Sequence, residues 1–473
     1  MIAPDELHRL VKLAMDTGEA ESIEHAHRIF AGYRIGVAVG PEIQWSPSHQ
    51  AALLTFLRLA SRVFLGGVDV IGLPTGTLPN CIAGSLSIAA TMHRVGALRV
   101  TSVQPHVPVV YIGSVDVRPG ADFAVRAIFG GWRAGVIPAD RLPLFECETE
   151  FALAGALAAA LAVNEAFLFV RGDTPEAGLR EVGVSLWRPD AVEDWWTNAN
   201  DGPAIAYLPS KLWLLGIGHL GQALLWSLSL LPYKRPEDVL LVLHDVDTIT
   251  SSTLSTSILS ERAMIGQNKT RTMAAVLEKR GFRTVLIERR FDETLRVLPD
   301  DPQIALCSLD NALGRHPLCE VGFKFVVEAG LGSGTKDYRA IRIHTFPGTK
   351  DPRQLWPVGP TEGSVVAGRA YDDLQARGLD QCGVTMLAGK AIGAPFVGMV
   401  AAAFSLAEVL RVLHEGPLFA LHDMDLKSLG RRVSLVRETA LSLGNPGFTA
   451  SFRFVRARRN RRVGEPRPMP AAR

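Results

Sequence analysis

The stretch LWLLGIGHLGQALLWSLSLL, Leu212 to Leu231, decides how this chain folds. An apolar run enters Gly216-x-Gly218-x-x-Gly221 and leaves as a second apolar run long enough for a helix. The first glycine permits a tight turn. The second lets a phosphate approach backbone N–H groups, and the third lets the helix pack close to the strand. The helix N-terminus adds partial positive charge where phosphates would lie. Strand, glycine loop and helix together predict a parallel α/β sheet with a nucleotide at the carboxyl ends of its strands. NAD and ATP both suit such a loop, so the residues downstream must separate them.

The next strand, DVLLVLHDVDTIT, ends in Asp245-x-Asp247. An acid there suits a ribose hydroxyl in either nucleotide. The second acid has no use in a NAD site. A helix then opens on Gly266-Gln267-Asn268-Lys269, where a lysine can reach a triphosphate as a point charge. Asp310-Asn311 follows the buried strand IALCSL. A carboxylate at that strand end is placed for Mg²⁺, and an N-cap for the next helix is the alternative.

Working outward, residues 1 to about 30 read as helix, with Leu7, Leu10, Val11 and Ala14 on one apolar face. YRIGVAVG and PVVYIGSVDV read as strands, and RVFLGGVDVIGL as a further one. The helix SPSHQAALLTFLRLASRVF starts at Ser46 as N-cap and Pro47 in the first turn. The polar run around Asn198, Asn200, Asp201, Gly202 and Pro203 marks a boundary near residue 195. A first domain then spans 1–195 and a second 196–430, followed by a basic tail over 431–473. In that tail eight arginines from Arg453 on face one acid, Glu465.

The two domains echo each other. AAALAVNEAF (Ala158–Phe167) matches AAAFSLAEVL (Ala401–Leu410), each with LAG and then a cysteine upstream, Cys147 and Cys382. Taken at face value this is a tandem of Rossmann-like, doubly wound sheets. Only the second carries the Gly-rich loop, so the first is a pseudo-copy that packs without binding nucleotide.

The 473 residues carry a net charge of +2 and 47% apolar side chains, as expected of a soluble two- or three-domain protein with no nucleic-acid partner. The five cysteines form no C-x-x-C pair, which excludes a zinc knuckle and fits a reducing, cytoplasmic compartment. The start MIAPDELHRL lacks the apolar run of a signal peptide. Two Ala-rich apolar stretches carry internal charges (Glu165; Glu408 and Arg411), which favours core helices over membrane spans.

The order G-x-G-x-x-G, D-x-D-T, G-Q-x-K, then D-N with Arg315 four residues on, resembles the ThiF/MoeB/ubiquitin-activating adenylyltransferase superfamily over about residues 211–415. FVVEAGLGSGTKDYRAIRIHTFPG and CGVTMLAGKAIGAPFVGMVAAAFSLAEVLRVL are similar to its later segments. The resemblance implies MgATP, a ubiquitin-like protein whose C-terminal carboxylate becomes an acyl-adenylate, and a conjugating-type enzyme downstream. It implies Asp245 on the ribose, Lys269 on the phosphates and Asp310 on the magnesium. Cys382, in a crossover segment over about 335–390, would take the acyl group as a thioester. The chain departs from the family after D-x-D-T, where Thr253, Thr256 and Ser257 replace its usual Asn, Arg and Gln. An arginine from the first domain would then be needed, and Arg28 is the expected donor, with Arg9 and Arg34 nearby. A degenerate scaffold that only docks partners and a NAD(P)-dependent oxidoreductase are the alternatives. A tandem of this kind makes a monomer sufficient. Antiviral conjugation, sulfur transfer and cofactor synthesis are settings in which such chemistry is used.

Overall fold

A computed structural model describes residues 6–74, 87–117, 120–357, 368–438, 441 and 443–452. The arginine-rich end from Arg453 and Cys81 lie outside them.

Two short helices come first, α1 (Lys12–Asp16) and α2 (Ile23–Ala31). The expected apolar face is real, since Leu7, Leu10, Val11 and Ala14 are all buried. The single long helix is not, because Gly18 at φ 77° turns the chain and Ser22 caps a new start.

The first sheet has seven strands: β1 (Arg34–Val39), β2 (Gly67–Ile71), β3 (Leu98–Arg99), β4 (Val109–Ile112), β5 (Ala124–Gly130), β6 (Arg133–Pro138) and β7 (Val182–Ser185). Their order is β3-β2-β1-β4-β5-β6-β7, parallel through β5 and antiparallel after it. α3 (Pro47–Val63) follows β1, α4 (Ile88–Val95) follows β2, and α5 (Ala152–Arg171) joins β6 to β7.

After β8 (Tyr207–Pro209) the pattern repeats. The second sheet comprises β9 (Lys211–Leu215), β10 (Leu240–His244), β11 (Arg283–Ile287), β12 (Ile304–Cys307), β13 (Phe325–Leu331), β14 (Ala340–Phe346), β15 (Phe419–Asp425) and β16 (Val433–Val436). Its order, β11-β10-β9-β12-β13-β14-β15-β16, copies the first sheet and adds one edge strand. α6 (His219–Leu230) follows β9, while α7 (Ser251–Leu254) and α8 (Lys269–Glu278) lie between β10 and β11. α9 (Ala312–Arg315) follows β12. Between β14 and β15 run α10 (Pro352–Leu355), α11 (Arg369–Ala376), α12 (Gln381–Ala388) and α13 (Pro395–Leu413). Finally β17 (Phe448–Ala450) returns to pair with β8. β16 and β17 therefore lie in the stretch expected to be tail, because both complete sheets that begin far upstream.

This is the tandem α/β fold, and its symmetry fixes the internal echo. α5 and α13 occupy the same place in the two sheets. The same offset that pairs Ala158 with Ala401 pairs Gly155 with Gly398 and Glu165 with Glu408. A Cβ on Gly155 would collide with the Ser48 carbonyl on α3, and one on Gly398 with the His219 ring on α6. Each glycine thus lets the long helix close on the first helix of its own sheet. The LAG and cysteine part of the echo does not survive. One LAG lies inside α5 and the other ends α12, so Cys147 and Cys382 are not equivalent.

α5 and α13 are each long and apolar enough to cross a membrane, yet 89% of the apolar window of each is buried inside the fold. They also meet each other, with the Phe167 and Phe396 rings 5.9 Å apart. Trp226 of α6 adds a second junction. Its Nε1 donates to Thr55 Oγ1 of α3 at 2.9 Å, and the Arg58 guanidinium lies over its ring at 4.8 Å. Each such fully buried large side chain contributes roughly 1.5–3 kcal/mol.

Candidate functional site

The glycine loop lies where the second sheet changes direction. β9 is flanked by β10 and β12, so the loop after β9 opens onto the carboxyl ends of three parallel strands. Gly216 takes φ 85°, which favours glycine. A Cβ at Gly221 would strike the Gly216 carbonyl, whereas one at Gly218 would meet nothing within 4 Å. The helix therefore presses on the strand while the space above the loop stays open. Gly218 is the N-cap of α6 and supplies no side chain to its free N–H groups.

Around this opening the expected residues gather. Asp245, at the end of β10, accepts Ile217 N at 2.6 Å and Asp247 N at 2.8 Å. Lys269 begins α8, and its Nζ sits 2.8 Å from Asp247 Oδ2 and 3.7 Å from Asp245 Oδ2. Asp245 and Lys269 are largely buried, but the Asp247 side chain is 65% exposed. Just past β12, Ser308 Oγ donates to the Gly216 carbonyl at 2.7 Å. Two residues on, Asp310 is exposed, and among the described residues its side chain is in no ion pair. Asn311 does what a cap does, accepting Gly314 N at 2.6 Å from the first turn of α9. The D-N pair thus divides into an open carboxylate and a structural amide. Arg315 turns inward to Glu328 at 2.7 Å, beneath the Trp356 ring.

The first unit's arginines are placed differently from the sequence expectation. Arg28 is exposed on α2, and Arg34 is held by Asp69 through two 2.7 Å bonds. Arg9 does cross to the second unit. Its Nε donates to Ser252 Oγ at 2.7 Å, its backbone N to Ser255 Oγ at 3.1 Å, and its Nη1 to the Ala391 carbonyl at 2.9 Å. It reaches the segment in which Thr253 and Thr256 stand for the family's polar and basic residues. Arg58 and Arg62 of α3 hold the same segment through the carbonyls of Leu254, Ile258 and Ser260.

Cys382 is the second residue of α12. Its side chain lies outside the description. Asp380 caps that helix by accepting Gly383 N at 2.7 Å, which sets a negative charge at the same end. Cys307 is core, and burial pushes its thiol up to about 12. Cys319 is exposed, with burial of its thiol and nearby Asp351 and Glu320 raising it to about 11.

Among the described residues, the first unit shows no such opening. Glu42 fills the crevice between the ends of β1 and β4, accepting Ser114 N at 3.0 Å, and a Cβ on Gly40 or Gly113 would collide with it. Glu150 covers the N-terminus of α3, accepting Ser48 N at 3.0 Å and Ser46 Oγ at 2.9 Å. Two of the chain's own carboxylates thus occupy the described part of the first unit's crevice and the N-terminus of α3.

Two family models match the chain. Residues 34–186 match the BilD N-terminal domain and residues 208–416 the BilD C-terminal domain. The bacterial E1-like protein BilD of Collimonas sp. (strain OK412) is 42% identical over 418 residues, covering 87% of this chain and 90% of that protein. Among solved structures, E. coli MccB with AMPCPP and MccA is 17% identical over 48% of this chain and 63% of that one, with a TM-score of 0.33. MccB alone (14%, covering 71% and 98%, TM-score 0.32) and PaaA (13%, covering 48% and 64%, TM-score 0.33) are similar to the same degree. At such scores these structures carry no argument, whereas the domain matches and the identity to BilD do. The chain belongs to the BilD family of bacterial E1-like proteins.

Proposed function

We propose that the second unit binds MgATP and activates the C-terminal carboxylate of a ubiquitin-like protein. The carboxylate attacks the α-phosphorus, a C–O–P bond forms, and pyrophosphate leaves. The Cys382 thiolate then attacks the acyl carbon, giving a thioester and releasing AMP. A conjugating-type enzyme would receive the acyl group from there.

One observation carries this reading: Gly216, Gly218, Gly221, Asp245, Asp247 and Lys269 converge on one opening, and that opening has space above Gly218. Asp245 is the ribose acceptor. Lys269 holds the phosphates, which replace the exposed Asp247 as its counter-charge. Asp310 with Asn311 beside it is the place for Mg²⁺, and an exposed carboxylate at a strand end has the hard oxygen chemistry that ion requires. Bound there, the metal neutralises charge on the leaving pyrophosphate. The residues align two anionic reactants and screen their repulsion. Among the first unit's arginines Arg9 rather than Arg28 is the candidate cross-unit cation, since Arg9 bonds the Ser252 and Ser255 hydroxyls of the segment that lost its own arginine, whereas Arg58 and Arg62 hold that segment by its backbone carbonyls.

The test is ATP–pyrophosphate exchange with a ubiquitin-like protein supplied as the candidate partner. Exchange should require that partner and Mg²⁺. Cys382→Ser should keep exchange and abolish the thiol-sensitive adduct. Absence of exchange with the correct partner would refute adenylation. A scaffold without chemistry is the second reading, favoured by the buried threonine at 256 in place of an arginine. It expects partner binding with no ATP affinity.

A further inference from the structure

His219 occupies the glycine loop yet serves none of the roles above. It is the first residue of α6, and its ring turns away from the open side of the loop toward α13. Nε2 is buried, has no hydrogen-bond partner among the described residues, and fills the space that a Cβ on Gly398 would take. Nδ1 lies 3.9 Å from the Cβ position of Gly393, which also faces Thr256 Cγ2 at 2.8 Å and Arg9 Cβ at 3.6 Å. The ring meets the backbone at Ala394 and Pro395, where α13 begins. Burial, reinforced by the charge of Arg9, lowers its pKa to about 4 against those backbone contacts, so the ring is neutral at pH 7.

The first unit shows what this contact is for. There Ser48, in the first turn of α3, accepts Phe151 N at 2.9 Å. Phe151 is the N-cap of α5, as Ala394 is of α13. In both units a side chain from the first turn of the first helix ties the start of the long helix. In the second unit that start is also the exit of the crossover segment, twelve residues after Cys382. The exit is held from other sides as well, by Arg9 on the Ala391 carbonyl and by Ile392 N on the Ser333 carbonyl at 2.8 Å.

We infer that His219 is a positioning residue that couples the nucleotide loop to the crossover segment, so that occupancy of the loop sets the order of the chain between Cys382 and α13. The inference rests on the nucleotide reading above, but its contact exists without ligand. A ring clamped between two glycines transmits displacement because packed side chains shift in discrete steps. ATP drawn onto the α6 N-terminus moves the residue that bears the ring, and the ring bears on Gly393 and Gly398.

Hydrogen exchange on the full chain tests this, with and without MgATP. In the nucleotide-free protein, amides of 391–399 should exchange at least tenfold faster in His219→Ala than in the native chain. With MgATP, the native chain should gain protection at both 216–222 and 381–394. In His219→Ala the response of 381–394, scaled to that of 216–222, should fall at least fivefold. Gly398→Ala should also uncouple, because its methyl group expels the ring. The double variant, in which that methyl has room, should recover thermal stability relative to Gly398→Ala and remain uncoupled. Unchanged exchange at 391–399 in the nucleotide-free variant would overturn the inference, as would an equal scaled response. If MgATP protects 216–222 in no variant, the nucleotide reading fails, and coupling by occupancy falls with it. The nucleotide-free comparison then separates a broken contact from a missing ligand.

Discussion

Asp310→Ala should lower ATP–pyrophosphate exchange by on the order of 10²–10³-fold and leave the unfolding midpoint where it was. The two halves of that expectation have separate causes. The side chain is exposed, and its one described hydrogen bond is a long 3.5 Å contact from Asn311 Nδ2. Removing it deprives the fold of almost nothing, so stability should shift within about 0.5 kcal/mol. On the proposed reading it is the metal-binding carboxylate, three residues past β12 and close to Ser308, which bonds the Gly216 carbonyl. On that reading, its loss removes metal-assisted neutralisation of the leaving group. Its neighbour supplies the control. Asn311 caps α9, so Asn311→Ala should cost about 1 kcal/mol in stability, with a smaller loss of exchange. Initial rates of exchange and urea midpoints for the two variants distinguish the roles. If Asp310→Ala exchanges at the native rate, the metal site lies elsewhere and the D-N pair is only a helix start.

How much of this was legible in the sequence depends on how far apart the partners lie along the chain. The glycine loop could be read from ten residues, because the strand, the turn and the helix that give it meaning are adjacent. Asp245 and Lys269 followed from their positions at a strand end and a helix start, which periodicity marks. The tandem showed through a run of alanines, since two equivalent buried helices demand the same small residues. What failed was contact at long range. Arg9 touches Ser252 and Ser255 across the unit boundary, and nothing in EHAHRIF or DELHRL separates one surface arginine from another. Glu150 closes the first unit's helix start from over a hundred residues away. The LAG match misled because one copy is inside a helix and the other ends one. Helical periodicity found the buried face of the first thirty residues but could not place the break at Gly18, which depends on where α2 must pack.

The largest expected effect on stability lies far from the nucleotide, at Glu408 of α13. Its side chain is fully buried with Arg411 and His422. It pairs with Arg411, binds His422 Nε2 at 2.6 Å and accepts Phe419 N at 3.4 Å, while Arg411 reaches across to the Leu186 carbonyl of the first unit. Burial alone would raise the carboxyl's pKa, but the Arg411 charge and the His422 bond outweigh it and hold Glu408 below the usual range. Glu408→Ala leaves a guanidinium and an amide uncompensated where no water reaches, and should cost about 3–5 kcal/mol. Glu408→Leu with Arg411→Met should recover most of that, since replacing both charges removes the desolvation penalty as well. The same burial sets a pH dependence. Burial lowers the pKa of His422, and lowers His8 to about 3 and His219 to about 4, all from an ordinary 6.5. Their folded values lie below their unfolded ones, so the unfolded chain binds protons first as pH falls. Their contribution is complete above pH 6.5 and declines below it, by about 1.4 kcal/mol per pH unit for each histidine while only its unfolded form is protonated. Glu408 acts in the same direction below its ordinary 4.5. Urea midpoints at pH 7.5, 6 and 5 should therefore fall steadily in the native chain. A midpoint that held constant from pH 7 to pH 5 would mean that these rings are solvated, and the junction between the units would need another source of cohesion.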